Sequence, residues 1–234
     1  MVPIRRSRAA YVGWVGNLLV ASGVSKVVSS VTLLRTVDVR AEPGRCVVLR
    51  GVNGSGKTTL LRILAGLTPA STGTVELDGG PVDERDPVVR AAVGALLGAP
   101  ATYRDLTLRD HLELIDATWG RGGGDREERA LAGLDRFAVA HLSTRFPHEL
   151  SSGQSQLFRL ACAFFRPATT LLLDEPEQRL DTGMRRLVAD RIIARRAEGT
   201  TVVMACHDPD LTAAVADVVL DLEPADAGDA GDAG

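Results

Sequence analysis

The chain has 234 residues, 45% of them hydrophobic and 24% charged, with a formal net charge of −3 at pH 7. That length allows one large domain, or a domain with a subdomain, around a sizeable core, and no run of about 18 uncharged apolar residues offers a bilayer span. The slight acidity and the few aromatics (Phe 5, Tyr 2, Trp 2) argue against a nucleic-acid partner, which favours a basic surface or a stacking platform.

Residues 1–16 read as a tail. Arg5, Arg6 and Arg8 lack the apolar run of a secretory signal behind them, and Tyr11 and Trp14 are candidates to dock the tail. Residues 17–21 and 31–40 read as strands around a polar turn at 22–26. Glu42, Pro43 and Gly44 mark a turn, and a short β-branched run from Cys46 to Arg50 comes after it. That run feeds Gly51, Val52, Asn53, Gly54, Ser55, Gly56, Lys57, Thr58 and Thr59, after which Leu60, Leu61, Ile63 and Leu64 continue as a helix.

Gly51, Gly56, Lys57 and Thr58 meet the pattern G-x-x-x-x-G-K-[ST] in the strand–loop–helix setting of a phosphate-binding loop. Gly51, Gly54 and Gly56 let the backbone turn its N–H groups inward, and the helix start adds unpaired donors and a positive dipole end. Lys57 has the reach for the β- and γ-phosphates, and Thr58 offers a hydroxyl to Mg²⁺. Lys26 and Lys57 are the only lysines of the chain, so a lysine inside this loop is not surface filler.

Beyond the loop helix, residues 74–78 and 93–97 read as strands. From 106 to 165 the pattern turns helical, with Asp105 or Thr107 as a cap, a glycine break at 120–124, a charged helix from Asp125, and a helix capped by Ser151 or Ser152 that Pro167 stops. Residues 169–174 form a short, near-continuous apolar strand, as buried parallel strands do. Next come a helix over 182–197, a strand over 200–206, a helix over 209–216 and a strand over 218–222. Residues 225–234 repeat Asp, Ala and Gly and read as a disordered acidic tail. Cys46, Cys162 and Cys206 lie in apolar surroundings without a C-x-x-C pair, which suits reduced core packing in a reducing cytoplasm.

Two further sites stand at strand ends. Leu171, Leu172 and Leu173 lead into Asp174 and Glu175; Asp174 is the candidate Mg²⁺ partner, and Glu175 the carboxylate able to orient and deprotonate an attacking water. His207 ends the strand through Val202 and Cys206, pointing to the crevice where α/β sheets bind ligands. Leu150, Ser151, Ser152, Gly153 and Gln154 open a helix; alone this is an N-cap, with donors suited to an anion.

The order of these motifs resembles the nucleotide-binding domain of the ATP-binding cassette (ABC) family across residues 17–222: phosphate loop at 51–59, signature at 150–154, the pair Asp174–Glu175 followed by Pro176, then His207. The resemblance implies an α/β fold: a P-loop NTPase core of mostly parallel sheet flanked by helices, with an N-terminal antiparallel β part and a helical signature subdomain at about 106–166 of a 17–224 ATP-binding domain. It implies ATP and Mg²⁺ as cofactors, hydrolysis to ADP and phosphate, and a head-to-tail dimer. Each ATP would lie between Lys57, Thr58, Asp174 and Glu175 of one subunit and Ser151 and Gly153 of the other. It also implies a separate transmembrane permease as partner, with the chain peripheral at the cytoplasmic face of the membrane; the length, without a regulatory C-terminal domain, fits compact subunits of importers or exporters. Two alternatives stand beside this: an ABC-type ATPase of a soluble complex, and a nucleotide-binding regulator with little hydrolysis.

Departures from the family pattern are local. Gly98 stands where the family has a glutamine that touches Mg²⁺ and the attacking water, and Val28 where an aromatic stacks on adenine. Ser152 replaces a signature glycine, and Gln178 and Arg179 replace small residues after Glu175. With Glu175 and His207 intact, the expectation is ATP binding with weaker base stacking and slow or unusually coupled turnover.

Overall fold

The computed structural model describes residues 17–98, 102–119 and 124–225. The tail expected at 1–16 with Tyr11 and Trp14, all of the acidic repeat beyond Ala225, and most of the 120–124 glycine break lie outside the described residues.

The chain opens as a hairpin, β1 (Leu19–Val28) against β2 (Val31–Ala41). The turn is the pair Ser29–Ser30, both at positive φ (47° and 67°), the backbone of a two-residue hairpin turn that matches the strand twist. The polar turn expected at 22–26 is therefore displaced. Those residues run inside β1, where the pairing with β2 slips between Ala21 and Val24 and again on either side of Lys26. Gly23, at φ 59°, takes the irregularity. The polar side chains serve sheet edges instead: Ser25 Oγ lies 2.7 Å from Thr72 Oγ1, and Lys26 Nζ donates to the Pro69 carbonyl at 2.7 Å. The other edge of β1 takes β4 (Thr72–Leu77), which carries the short β5 (Gly80–Pro81), so this antiparallel sheet has the order β2-β1-β4-β5.

A second sheet is wholly parallel. It contains β3 (Cys46–Arg50), β6 (Val93–Leu96), β7 (Thr170–Asp174), β8 (Thr201–Ala205) and β9 (Val218–Asp221) in the order β6-β7-β8-β3-β9. β3, β7 and β8 are almost entirely buried, which explains their near-continuous apolar sequences. The register aligns three strand ends: Leu49 pairs with Ala205, and Asp174 also pairs with Ala205. The residues leaving the carboxyl ends of β3, β7 and β8 therefore emerge side by side.

Helix α1 (Lys57–Leu64) leads from β3 to β4 of the antiparallel sheet, while α6 (Thr182–Ala197) connects β7 to β8 and α7 (Pro209–Val215) connects β8 to β9. The short α2 (Pro87–Ala92) is an addition to the expected elements, although Asp86 capping the Val88 N–H at 2.8 Å with proline at the first position is a recognisable start. Between β6 and β7 stand α3 (Leu108–Thr118), α4 (Arg126–Asp135), two 3₁₀ turns and α5 (Ser152–Phe165). Thr107, not Asp105, caps α3 through a reciprocal pair of bonds with Asp110. Their shared core includes Leu108, Leu112, Leu134, Phe137 and Phe158, each at most 1% exposed; burying each phenylalanine contributes on the order of 1.5–3 kcal/mol. Asp116 on α3, also buried, takes the Arg129 fork from α4 at 3.2 and 2.6 Å. The three cysteines are free thiols, and burial pushes the pKa of each up to about 12. Among the described residues, no helix is long and apolar enough to cross a membrane.

Candidate functional site

The loop between β3 and α1 closes so tightly that two of its residues have no room for a side chain. Gly56, the N-cap of α1, adopts a left-handed conformation at φ 93°. A Cβ there would lie 2.6 Å from the Leu33 carbonyl oxygen and 2.8 Å from Leu34 Cδ1. At Gly51 a Cβ would meet the Leu222 carbonyl oxygen at 2.7 Å. The loop is thus wedged between β2 and the chain leaving β9, and only glycine permits that approach.

Among the described residues no side chain caps α1, so the first N–H groups of the helix remain open to an anion. Lys57, only 6% exposed, donates from Nζ to the carbonyls of Gly51 at 2.8 Å and Val52 at 3.0 Å. Its ammonium is held by the loop's own backbone, not by a carboxylate. The Ser55 hydroxyl is buried with no partner among the described residues. A cavity of about 490 Å³ opens over this loop, lined by Asn53, Gly54, Gly56, Lys57, Thr58 and Thr59, with Val31, Thr32 and Leu33 of β2 on one side and Glu175 and Ala225 completing the wall.

The ends of β7 and β8 stand beside this loop. Thr58 Oγ1 donates to Asp174 Oδ2 at 2.8 Å. Burial raises the Asp174 carboxyl above its ordinary range, against the opposing Thr58 hydrogen bond, and Glu175 adds a like charge. The other oxygen, Asp174 Oδ1, is buried and makes no hydrogen bond among the described residues. A buried, unpaired carboxylate oxygen beside a threonine hydroxyl is the donor chemistry a hard cation takes. The described residues hold no cluster of three or more His, Cys, Asp or Glu side chains for a metal, so a divalent cation here would take its remaining ligands from phosphate oxygens and water.

Glu175 comes next in a left-handed conformation, φ 48°, which costs a non-glycine residue on the order of 1–3 kcal/mol. Several contacts hold it there. Its N–H donates to the Ala205 carbonyl at 3.0 Å. Its Oε1 lies 3.3 Å from His207 Nε2, and its Oε2 accepts from Gln178 Nε2 at 2.9 Å. His207 is itself fixed through its backbone, whose N–H donates to Glu177 Oε1 at 2.7 Å.

The signature segment does not join this group. Ser151 caps α5, with its Oγ accepting from Gln154 N–H at 3.3 Å and Gln154 Oε1 accepting from Ser151 N–H at 2.9 Å. Gly153 packs so that a Cβ would lie 3.1 Å from the Arg179 carbonyl oxygen. Neither Ser151 nor Gly153 lines the cavity of its own chain. Val28, the expected base-stacking position, does not line it either; among the described residues the apolar wall comes from Val31 and Leu33, and none of its members is aromatic.

Sequence reasoning misses three supporting side chains. Gln178 stands in the sequence only as a departure from the family pattern, yet it grips the Glu175 carboxylate. Glu177 is 6% exposed and anchors His207. Gln156 is 5% exposed, and its Nε2 donates to the carbonyls of Glu175 and Pro176, both at 3.2 Å. The available signal for Gln156 is a polar residue on the apolar face of a helix.

Comparison with known proteins agrees with this geometry. The family model described as "ABC transporter" matches residues 34–178. The aliphatic sulfonates import ATP-binding protein SsuB of Pseudomonas putida is 32% identical over 215 residues, covering 91% of this chain and 76% of that protein. An uncharacterized ABC transporter ATP-binding protein, YknY of Bacillus subtilis, is 31% identical over 184 residues, with 76% and 80% covered. Among solved structures, the dimeric ABC transporter cassette MJ0796 superposes with a TM-score of 0.81 at 24% identity, over 88% of this chain and 95% of that one, a likeness of fold. A phosphate loop wedged by glycine, a strand-end carboxylate pair beside it and a family match spanning both place this chain in the ABC transporter family, as an ATP-binding and ATP-hydrolysing subunit.

Proposed function

We propose that ATP is bound and hydrolysed by Lys57, Thr58, Asp174, Glu175 and His207 of one chain together with Ser151 and Gly153 of a second, within an ATP-binding domain of residues 17–224 whose helical subdomain spans about 106–166. One observation carries this reading: Thr58 bonded to Asp174, and Glu175 in contact with His207, meet at the carboxyl ends of the central parallel strands beside the loop that carries Lys57.

In this mechanism Lys57 exchanges the carbonyls of Gly51 and Val52 for β- and γ-phosphate oxygens, which the N–H groups of residues 53–59 also hold. Thr58 and Asp174 are the residues that would hold Mg²⁺. The chemistry supplied by that ion, when bound, is neutralisation of charge on the phosphate oxygens. Glu175 accepts a proton from water as the water oxygen attacks the γ-phosphorus and the bond to ADP breaks. His207, against the same carboxylate, keeps Glu175 oriented. The N-terminus of α5 in the second chain, with Ser151 and Gly153, closes over the γ-phosphate and excludes water, the Ser151 hydroxyl turning from its cap on Gln154 to the phosphate. The cycle of closing and opening drives a separate transmembrane permease, which holds the chain peripherally at the cytoplasmic face of the membrane.

A mixing experiment tests the two-chain site. Lys57→Ala and Gly153→Asp each destroy a different half. Mixed in equal amounts, the two inactive chains are expected to recover up to about a quarter of wild-type turnover, since half of the dimers then carry one intact composite site. No recovery above the separate variants overturns the shared site.

The base wall has a consequence of its own. Among the described residues, aliphatic Val31 and Leu33 offer area to any purine but no ring to stack. ATP and GTP are therefore expected to bind within about twofold of each other, roughly 0.4 kcal/mol, and to raise the melting temperature equally. A strong preference for ATP in thermal shift measurements contradicts this assignment of the wall.

A further inference from the structure

Arg159 takes no part in the site as described, yet it is tied to it. It lies three residues beyond Gln156, so both side chains leave the same side of α5. Gln156 already holds the carbonyls of Glu175 and Pro176 through its Nε2, which leaves its Oε1 to accept; that oxygen takes Arg159 Nη1 at 3.1 Å. From its other arm Arg159 Nη2 donates to the carbonyl of Gly98, just beyond β6. The guanidinium thus completes an unbroken line of hydrogen bonds from Gly98 through Arg159 and Gln156 to the backbone of Glu175.

Packing alone does not explain this residue. Arg159 is half-buried, and its Nε is buried with no acceptor among the described residues. An alkyl side chain would fill the position without that desolvation cost. Burial lowers the Arg159 pKa, the neighbouring Arg179 lowers it further, and the charge of Asp174 opposes both. A charged fork stands here with one buried donor unpaired among the described residues and two others spent on Gln156 and Gly98. The same side chain lines a cavity of about 310 Å³ between α3, α5 and the end of β6, whose walls include Leu96, Tyr103, His111, Leu114 and Phe158.

We propose that Arg159 is a positioning residue for hydrolysis: through Gln156 it fixes the backbone turn that carries Glu175, and it links that turn to the Gly98 segment and the cavity beside it. Gly98 supplies only a carbonyl at φ 66°, and among the described residues nothing lies within 4 Å of its missing Cβ. The connection across to Glu175 is therefore made from α5. The proposal rests on the reading of Glu175 as the carboxylate that acts on water.

The test is steady-state ATP turnover of the full chain as wild type, Arg159→Met, Arg159→Lys, Gln156→Leu and the Arg159→Met/Gln156→Leu double variant, with Glu175→Gln as reference. Methionine keeps much of the stem and removes the donors. Arg159→Met is expected to lower kcat roughly tenfold with the KM for ATP within about twofold, and Arg159→Lys to recover part of the loss by keeping one charged donor. The double variant is expected to be no worse than the poorer single variant, because both changes cut one line of contacts. Wild-type kcat in Arg159→Met, a raised KM at unchanged kcat, or losses that simply add would each overturn the proposal. Gln156→Leu carries the same expectation from the other end of the link, so the test survives misfolding of Arg159→Met. An inactive Glu175→Gln beside an unimpaired Arg159→Met removes the role of Arg159 alone; wild-type turnover in Glu175→Gln removes the reading of Glu175 and this proposal with it.

Discussion

Glu175→Gln is expected to lower ATP turnover by about 10²–10⁴-fold, the range that a positioned general base contributes. The substitution preserves shape. Glutamine still accepts from Gln178 through its carbonyl oxygen, and the left-handed backbone at this position, held by Ala205 and Gln156, does not depend on the carboxylate. What disappears is the capacity to take a proton from water. Nucleotide affinity should therefore stay within a few-fold of wild type. Without hydrolysis to reopen it, the ATP-bound dimer should accumulate, and gel filtration with ATP against ADP would reveal it. Turnover within about threefold of wild type would show that another group, or substrate phosphate alone, receives the proton.

Lys57→Ala is expected to fail one step earlier. The ammonium is the only charged side chain bonded within the loop among the described residues, where it bridges the carbonyls of Gly51 and Val52. Its removal costs the loop this internal tie and costs the bound nucleotide charge-assisted contacts worth about 1.5–3 kcal/mol each. A loss of ATP affinity of at least about tenfold should accompany a loss of turnover on the order of 10²–10³. The contrast with Glu175→Gln is diagnostic: binding lost in one, binding kept and chemistry lost in the other. Fluorescent-nucleotide titration of both variants separates the two roles. Equal affinity in Lys57→Ala and wild type would move the phosphates away from this loop.

Much of the framework is legible from local pattern. The strands β3, β7 and β8 announce themselves as apolar runs because both faces of a parallel sheet are covered. Helix α6 has the bounds its sequence predicts, and Thr107, Ser151, Asp181 and Asp208 cap helices with side-chain oxygens as their residue types predict. Where local signals compete, sequence reasoning fails. Ser22, Gly23, Ser25 and Lys26 have turn composition, but the second edge of β1 recruits this stretch into pairing with β4, and the turn falls on Ser29–Ser30. The short α2 escapes detection because six residues carry too little periodicity to register.

The sequence by itself determined the chemistry available: a glycine-spaced loop ending in Lys57 and Thr58, a strand ending in Asp174 and Glu175, a histidine after another strand, and the cap at Ser151. Each is a local signal, because backbone conformation and hydrogen-bonding capacity derive from residue type and spacing. Only the tertiary structure decided how these groups meet. The parallel register brings Asp174 level with Ala205, so that Thr58 reaches Asp174 and Glu175 reaches His207. It also decided which side chains hold the Glu175 turn, since the contacts of Gln156, Gln178 and Arg159 join residues as far apart as Gly98 and Arg159. Such contacts leave no periodicity in the chain; they exist only once the strands are in register and α5 has docked against them.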